Sequence, residues 1–224
     1  MSDQCTGLLS PFLRSQRIRA AQPFLGAGRV LDYGCGGGSL AHCVDPSHYL
    51  GVDLDAGAIG YARAQHPEHT FLTMPEFDVQ DRMNPFDAIA AMAVIEHLPN
   101  PQDWLIRMQR YLKPDGRIVL TTPHPGFCRV YEYGASLGVF SRDGAEEHKR
   151  LLDLHAVRGL AEAVGLRIAI YRRFLLGANQ LVVLRSDRLR IHASVIGRRS
   201  VGPSVWGTQR RQATKSRRLR SITR

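Results

Sequence analysis

One stretch, Val30 to Ala41, constrains the fold of this chain more than any other. It reads VLDYGCGGGSLA: a short apolar run ends in an aspartate, glycines follow at alternate positions, and a segment able to start a helix comes next. The pattern predicts a strand, a tight turn and a helix N-terminus whose free backbone N–H groups face the turn. Because glycine lets a ligand lie directly on the main chain, we expect a binding loop built on Gly34, Gly36 and Gly38.

The residues around this loop indicate which ligand it holds. A dinucleotide fingerprint requires its third glycine at position 39, where this chain has Ser39. Asp32, at the end of the predicted strand, would repel a pyrophosphate but would attract ammonium and sulfonium groups. Asp53 ends the next predicted strand, about twenty residues past the first glycine, the spacing at which a carboxylate accepts both ribose hydroxyls. These residues favour S-adenosylmethionine over NAD.

Longer segments carry a resemblance to a known family. VLDYGCGGG and GVDLD resemble the first two motifs of the class I S-adenosylmethionine-dependent methyltransferases, FDAIAAMAVIEHLPNP the fourth-strand block and LKPDGRIVLTTPHP the fifth. The similarity is to the small single-domain type that includes ubiquinone-pathway O-methyltransferases, and it runs from Val30 to Pro125 and more weakly to Leu184. It implies an α/β fold with a Rossmann-like, doubly wound, mostly parallel sheet and an antiparallel last strand.

The cofactor is expected beyond the carboxyl ends of the strands, where the strand order of such a sheet reverses. The predicted cofactor-binding residues are Asp32, Gly34, Gly36, Gly38, Asp53, Leu54, Met74 and Met92. Related enzymes often have an acid at the position of Met74. We therefore expect Met74 to pack on the adenine face, while a backbone N–H or Glu76 contacts the ring edge.

A hydroxyl acceptor can require a base, and histidine suits this role near neutral pH. His124, directly after the predicted fifth strand, is the first candidate and His148 the second. His97, which resembles the histidine of the family's EH pair, is expected to be structural, bonded to the backbone beneath the pocket. His66 and His69 in HPEH have metal-ligand spacing but are expected in a solvated turn. The cysteines have no zinc-site spacing, so no metal site is predicted.

Composition and charge predict the domain organisation. With 224 residues and 44% hydrophobic content, the chain can bury one full core. From Arg185 onward there are 12 Lys and Arg against 1 Asp, and subtraction from the totals of 30 and 20 leaves 18 against 19 before it. We expect a cofactor-binding domain over residues 1–185, with a substrate-pocket or lid insertion at 123–150. Residues 186–224 form a basic, flexible tail in this interpretation.

The tail and the apolar pattern bear on partners and location. The first residues contain no apolar signal region, and no apolar run approaches the roughly 20 residues of a membrane span, so we expect a cytoplasmic protein. The tail is interpreted as a solvated end or as a contact with an anionic membrane surface. Nucleic acid ranks third, because Trp206 is the tail's single aromatic residue.

The predicted function is methyl transfer to an oxygen of a small-molecule or lipid-linked acceptor. Three alternatives stand beside it. The first is an RNA methyltransferase that docks through the basic tail, and the second is a non-catalytic module that binds the cofactor and signals through a partner. The third is aminopropyl transfer from a decarboxylated cofactor, which the mixed charges of residues 123–150 do not favour.

Overall fold

The computed structural model describes residues 10–80, 85–127 and 152–186. The chain divides into two units, Met1–Arg188 and Leu189–Arg224, and the described residues all belong to the first. Most of the predicted insertion, including His148, and nearly all of the predicted basic tail lie outside the described residues. The boundary after residue 185 and the roles given to those two segments therefore stay predictions.

A mixed sheet forms the centre of the described part of the chain. Its strands are β1 Val30–Tyr33, β2 Tyr49–Asp53, β3 Thr70–Thr73, β4 Phe86–Met92, β5 Leu112–Pro123, β6 Leu166–Phe174 and β7 Asn179–Ser186. They lie in the order β3-β2-β1-β4-β5-β7-β6. The first five strands are parallel, and β7 is antiparallel to both β5 and β6. The predicted fold class is confirmed.

Helices cover both faces of this sheet. They are α1 Ser10–Ala21, α2 Ala56–Gln65, α3 Met74–Gln80, α4 Pro101–Gln109 and α5 Leu154–Ala163. Helices α3, α4 and α5 share one buried hydrophobic cluster, and α1 and α2 share the other. Because both faces are covered, the central strands are mostly apolar, as in β4, where the run from Ala88 to Ala91 is buried.

Helix α3 was not predicted, although the sequence contains a signal for it. Thr73 precedes the helix, and the Glu76 carboxylate accepts hydrogen bonds from the Thr73 backbone N–H at 2.6 Å and from its hydroxyl at 3.0 Å. This is half of a capping box, in which an acid three residues into a helix satisfies the N–H before it. The T-x-x-E spacing at 73–76 therefore marks a helix start.

After the glycine loop the sequence predicts a short helix over Leu40 to Val44. The chain forms only a short 3₁₀ turn, Ala41–Cys43, before Asp45 caps the next turn, Pro46–His48. Val44 and Asp45 both leave the helical backbone region, as expected where a proline follows. The expectation of a helix N-terminus at the binding loop is therefore wrong.

Two segments whose residues predict turns are placed differently in the structure. The Pro-Asp-Gly sequence at 114–116 predicts a turn that ends α4, but these residues lie inside β5, where a register shift between Phe86 and Ala88 accommodates them. The sequence Gly-Ala-Asn-Gln at 177–180 predicts the hairpin turn between β6 and β7, but the chain turns at residues 175–178. Its last two predicted turn residues, Asn179 and Gln180, are fully buried in β7, because pairing with the end of β5 overrides their preference for turns.

Arginines lie at both edges of the sheet. Arg63 donates from Nε and Nη2 to the Phe71 carbonyl of β3, at 3.0 and 2.7 Å. Strand β6, at the opposite edge, contains Arg167, Arg172 and Arg173. Among the described residues, no helix combines the length and the apolar character needed to cross a bilayer.

Candidate functional site

The candidate site lies where the strand order reverses, between β1 and β4. The carboxyl ends of β1, β2, β4 and β5 meet there, at the edge of the sheet where open α/β folds hold their ligands. Asp32, Asp53, Met92 and His124 all fall at these ends, as the sequence predicts.

The glycine loop is held by hydrogen bonds to the end of β2. Gly34 N and Cys35 N donate to the Val52 carbonyl at 2.8 and 3.1 Å, and Gly36 N donates to Asp53 Oδ2 at 2.8 Å. These backbone N–H groups are therefore used to fix the loop rather than left for a ligand. The floor of the site is the loop itself, without the helix N-terminus that the sequence suggested.

Glycine is needed at these three alternate positions for different physical reasons. A Cβ on Gly34 would lie 2.5 Å from Val94 Cγ2, and one on Gly38 would lie 2.8 Å from Phe71 Cζ, so packing inside the protein excludes side chains at both. A Cβ on Gly36 would have no heavy-atom neighbour within 4 Å among the described residues, although its φ of +51° favours glycine. Only Gly36 faces open space, which is the space a ligand needs.

Asp32 is a buried carboxylate beside that space. The Tyr49 hydroxyl donates to Asp32 Oδ2 at 2.8 Å, and Asp32 is 3% exposed. Burial is the largest cause that raises the pKa of Asp32 to about 7; the Tyr49 bond opposes the rise, and the negative charge of Asp53 adds to it. A cationic group placed here would stabilise both carboxylates.

Asp53 is half-buried and keeps acceptor capacity. Its Oδ1 accepts from Asp55 N at 2.9 Å and its Oδ2 from Gly36 N, which leaves lone pairs on both oxygens for hydroxyl donors. Next to it, the side chain of Leu54 is 80% exposed, an apolar surface suited to a flat ring. Met74 is 9% exposed and packs mainly in the hydrophobic core, and Glu76 is engaged in capping α3 and in an ion pair with Arg63.

These features test the site against S-adenosylmethionine. The open space above Gly36, the two neighbouring carboxylates and the exposed Leu54 match a ligand that carries a cationic amino acid part, a ribose and an apolar base. The residues present therefore fit this cofactor.

The end of β4 holds a backbone conformation that sequence reasoning missed. Ala93 has a φ of +57°, which costs a residue with a side chain about 1 kcal/mol or more. Its N–H donates to the Thr121 carbonyl at 2.7 Å, while the Thr121 hydroxyl contacts Met92 Sδ at 3.5 Å. The turn at Ala93 places Val94 against Gly34. Nothing in an alanine signals such a turn.

Glu96 is a second missed residue, at the same end of the sheet. It is 4% exposed, and among the described residues its Oε2 has no hydrogen-bond partner. Burial is the main cause that raises the pKa of Glu96. The backbone N–H of Glu96, the charges of Arg17 and His97 and the Thr122 hydroxyl each act to lower this pKa. His97, expected to be structural beneath the pocket, is exposed, and the buried member of the EH pair is the acid. The signal in the sequence for a buried acid is a glutamate inside the apolar run MAVIEHL.

Helix α1 lies over this end of the sheet, next to β4, β5 and β7. Arg17 Nε donates to the buried Asn179 Oδ1 of β7 at 3.1 Å, and the positive charge of Arg17 acts on Glu96. Ser10 followed by Pro11 is a typical helix start, and the apolar residues that follow predict a leading helix over Pro11 to Leu25. The structure confirms it as Ser10–Ala21 with a 3₁₀ turn, Gln22–Phe24, after it.

His124 follows β5 in a defined geometry. Its Nδ1 accepts from Gly126 N at 3.0 Å and lies 3.4 Å from Arg173 Nη2. Burial lowers the pKa of His124, and the Arg173 charge lowers it further, so the ring is neutral near pH 7. Because Nδ1 accepts a hydrogen bond, the proton of the neutral ring resides on Nε2, which makes His124 a donor toward a ligand.

The HPEH segment is not a solvated turn. His66 is 5% exposed, and the His69 side chain is also 5% exposed, whereas Glu68 lies in solvent. The His66 ring packs edge-on against the ring of His42, with 4.5 Å between centroids. The expectation for these two histidines is wrong, because the turn between α2 and β3 folds back under the glycine loop.

Comparison with known proteins agrees with the fold. A family model described as a methyltransferase domain matches residues 8–169. The ubiquinone biosynthesis O-methyltransferase of Dechloromonas aromatica (strain RCB) is 31% identical over 106 residues, which cover 44% of this chain and 45% of that protein. The enzyme of the same name from Aeromonas salmonicida (strain A449) is 27% identical over 150 residues, covering 62% and 63%.

Among solved structures, magnesium protoporphyrin IX methyltransferase from Synechocystis PCC 6803 with bound SAH has a TM-score of 0.60. It is 16% identical and covers 80% of this chain and 88% of that one, which supports the fold. The chain spans about half the length of the first curated relatives that it matches. The family match extends over most of the described residues, and the predicted cofactor is confirmed. The chain therefore belongs to the class I S-adenosylmethionine-dependent methyltransferase family.

Proposed function

We propose that this chain transfers the methyl group of S-adenosylmethionine to a hydroxyl oxygen of a small-molecule or lipid-linked acceptor. The observation that carries the oxygen assignment is Glu96, a buried carboxylate whose Oε2 lacks a partner among the described residues at the carboxyl end of β4. The relatives named ubiquinone biosynthesis O-methyltransferase support an oxygen acceptor with a lipid tail.

Each cofactor contact has a physical role in this proposal. Asp53 accepts the ribose hydroxyls with the lone pairs left by Gly36 and Asp55. Asp32 faces the cationic amino acid part, whose charge favours the ionised carboxylate. The cofactor lies on Gly36. A further set of apolar side chains, Leu54, Met74 and Met92, borders the same space.

Bound S-adenosylmethionine supplies an electrophilic methyl group on a sulfonium leaving group. The acceptor oxygen forms a bond to the methyl carbon as the carbon–sulfur bond breaks, and the hydroxyl proton passes to Glu96. A carboxylate whose pKa is raised by burial is a stronger base than one in water. The remaining acceleration comes from holding oxygen and methyl in line, for which effective molarities of about 10⁵ M or more are reached.

The sequence predicts His124 as the general base, whereas this proposal assigns that role to Glu96. His124 Nδ1 already accepts from Gly126 N, so its Nε2 donates a proton rather than accepting one. We assign His124 to orienting the acceptor through that N–H group. His148 lies outside the described residues and stays a candidate from the sequence.

The proposal includes a place for the enzyme in the cell. A basic tail on a cytoplasmic methyltransferase is suited to an anionic membrane surface, where lipid-linked acceptors lie. Sedimentation with vesicles of anionic lipid should retain the full chain at low salt and release it at high salt, whereas neutral vesicles should not retain it. Equal binding to both vesicles would contradict this part of the proposal.

The function is tested in two steps. Calorimetric titration with S-adenosylmethionine, with NAD as the control, first establishes cofactor binding. The protein is then incubated with ¹³C-methyl cofactor and a catechol, a polyprenylated phenol, an aromatic amine, a carboxylic acid or total tRNA. We expect methylation of a phenolic hydroxyl, identified by the NMR signal of an O-methyl group.

The other outcomes each contradict the proposal in a defined way. Label on the amine or on tRNA would replace the oxygen acceptor, and for tRNA it would favour the nucleic-acid alternative. Cofactor binding without transfer to any acceptor would indicate a non-catalytic module. A folded protein that does not bind the cofactor would contradict the proposed methyl transfer altogether.

A further inference from the structure

The turn between α2 and β3 forms a cluster of imidazoles apart from the cofactor site. We call His42, His66, Glu68 and His69 the histidine cluster. One ligand atom each from His66, Glu68 and His69 lie within 4.8 Å of one another. The His42 ring contacts that of His66, and the His66 and His69 ring centroids are 5.7 Å apart.

The tautomer of His69 follows from its neighbours. Its Nε2 lies 3.2 Å from the Val44 carbonyl, which can only accept, so Nε2 carries a hydrogen. In the neutral ring Nδ1 then carries no hydrogen and presents a lone pair. This atom is buried, and among the described residues it has no hydrogen bond of acceptable geometry. Its neighbour is Glu68 Oε1, 3.3 Å away, so a lone pair faces a carboxylate oxygen. A cation between the two atoms would remove this conflict.

The arrangement around His69 is that of a metal ligand. Histidines that bind metals commonly donate their other ring N–H to a backbone carbonyl, which fixes the tautomer and the ring orientation. His69 does this with Val44. His66 is 5% exposed, and one ligand atom of this residue lies within 4.8 Å of those of Glu68 and His69. Two imidazoles and a carboxylate form a donor set that suits zinc.

We propose that His66, Glu68 and His69 bind one zinc ion, with the adjacent imidazole of His42 as the fourth ligand. Ligand atoms around tetrahedral zinc lie about 3.3 Å apart, so the side chains must close in slightly from their present spacing. Glu68, whose side chain is 56% exposed, and the exposed His42 are free to do so. His66 and His69 are already held by packing.

The site would brace the cofactor loop from below. A Cβ on Gly38 would lie 3.1 Å from His66 Cδ2, so the cluster directly contacts the glycine loop. The Tyr49 ring packs edge-on against His69, with 5.3 Å between centroids, and the Tyr49 hydroxyl holds Asp32. Zinc would thus join the residues after the glycine loop to the turn before β3. This role is structural and does not depend on the proposed function.

The test is calorimetric titration of zinc into the full chain, after removal of any affinity tag and dialysis against a chelator, with magnesium as the control metal. We expect one zinc ion per chain, a dissociation constant in the micromolar range or tighter, and a higher melting temperature. Glu68→Gln and His42→Gln change exposed side chains and should leave the fold intact. Each should weaken zinc binding, Glu68→Gln on the order of 10- to 100-fold. His155→Gln, an exposed histidine of α5, is the matched control.

Cobalt in place of zinc separates this site from the cysteines. Tetrahedral cobalt bound by imidazole and carboxylate gives visible absorption bands without the near-ultraviolet thiolate band. Absence of stoichiometric zinc binding would overturn the proposal and leave His69 and Glu68 as a simple ion pair. A thiolate band, or binding that is equal in Glu68→Gln and in the wild type, would also overturn it.

Discussion

The ends of β1 and β2 and the ends of β4 and β5 form two halves of one site, and they are built differently. In the first half, residues close in sequence fix one another: Asp53 holds Gly36, and Tyr49 holds Asp32. In the second half, Glu96 of the β4 end lies among groups from distant segments, Arg17 of α1 and Thr122 of β5. Val94 against Gly34 joins the two halves. The comparison teaches that cofactor binding is encoded locally, whereas the acceptor side is assembled by the whole fold.

The largest effect is expected in the second half, the acceptor side formed by the ends of β4 and β5. Glu96→Gln keeps the shape of the side chain but removes the base, so kcat should fall by about 10² to 10⁴-fold while the cofactor dissociation constant stays unchanged. Because burial raises the pKa of Glu96, the wild-type rate should rise with pH through that raised value, and this limb should vanish in the variant. Steady-state kinetics on the methylated phenol measures both. An unchanged kcat would remove Glu96 from the chemistry.

The contact between the two halves is tested by a pair of glycine substitutions. Gly34→Ala puts a Cβ 2.5 Å from Val94 Cγ2 at a φ of +76° and should cost about 2 to 4 kcal/mol of unfolding free energy. Gly36→Ala places its Cβ more than 4 Å from any heavy atom of the described residues beyond its chain neighbours and should cost about 1 to 2 kcal/mol, yet it should weaken cofactor binding because this Cβ enters the ligand space. Urea denaturation and calorimetry separate the two. Equal stability losses would mean that Val94 does not constrain the loop.

The cofactor half is tested at Asp53. Asp53→Ala should weaken S-adenosylmethionine binding by about 1.5 to 3 kcal/mol through loss of a charge-assisted ribose contact. Asp53→Asn keeps an acceptor for Gly36 N and separates loop support from the ribose contact. Asp55→Ala is the neighbouring control, since it removes the N-cap of α2 and should cost about 1 kcal/mol of stability without changing affinity. An unchanged dissociation constant in Asp53→Ala would reject the ribose assignment.

The smallest effect is a pH dependence at Asp32. Its pKa of about 7 lies above the usual carboxyl value, so the folded protein favours the protonated form, and stability falls as pH rises from about 4 to about 7. A cationic ligand requires the ionised form. Cofactor affinity should therefore rise by up to about tenfold per pH unit below pH 7 and level off above it. Calorimetry of the wild type and of Asp32→Asn measures cofactor affinity against pH. The same pH dependence in both proteins would exclude Asp32 as its cause.

The same contrast explains what the sequence could predict. The succession of strands along the chain, the end of each central strand and the cofactor residues Asp32, Gly36 and Asp53 follow from local pattern and spacing. Glu96 and Ala93 do not, because their burial and backbone conformation depend on α1, β5 and β7. The fold class follows from the family resemblance. The short helix expected after the glycine loop is found only as a 3₁₀ turn, because the chain leaves the helical region before Pro46. The T-x-x-E spacing at 73–76 is a local signal that does mark the start of α3.

The arginines at the two sheet edges have a consequence for self-association. An exposed edge strand offers unpaired backbone groups on which another copy can add a strand and begin an aggregate. The Phe71 carbonyl of β3 already accepts from Arg63, and at β6 the cluster of arginine charges repels the same edge of another copy. Both arrangements are expected to oppose strand addition between copies of this chain.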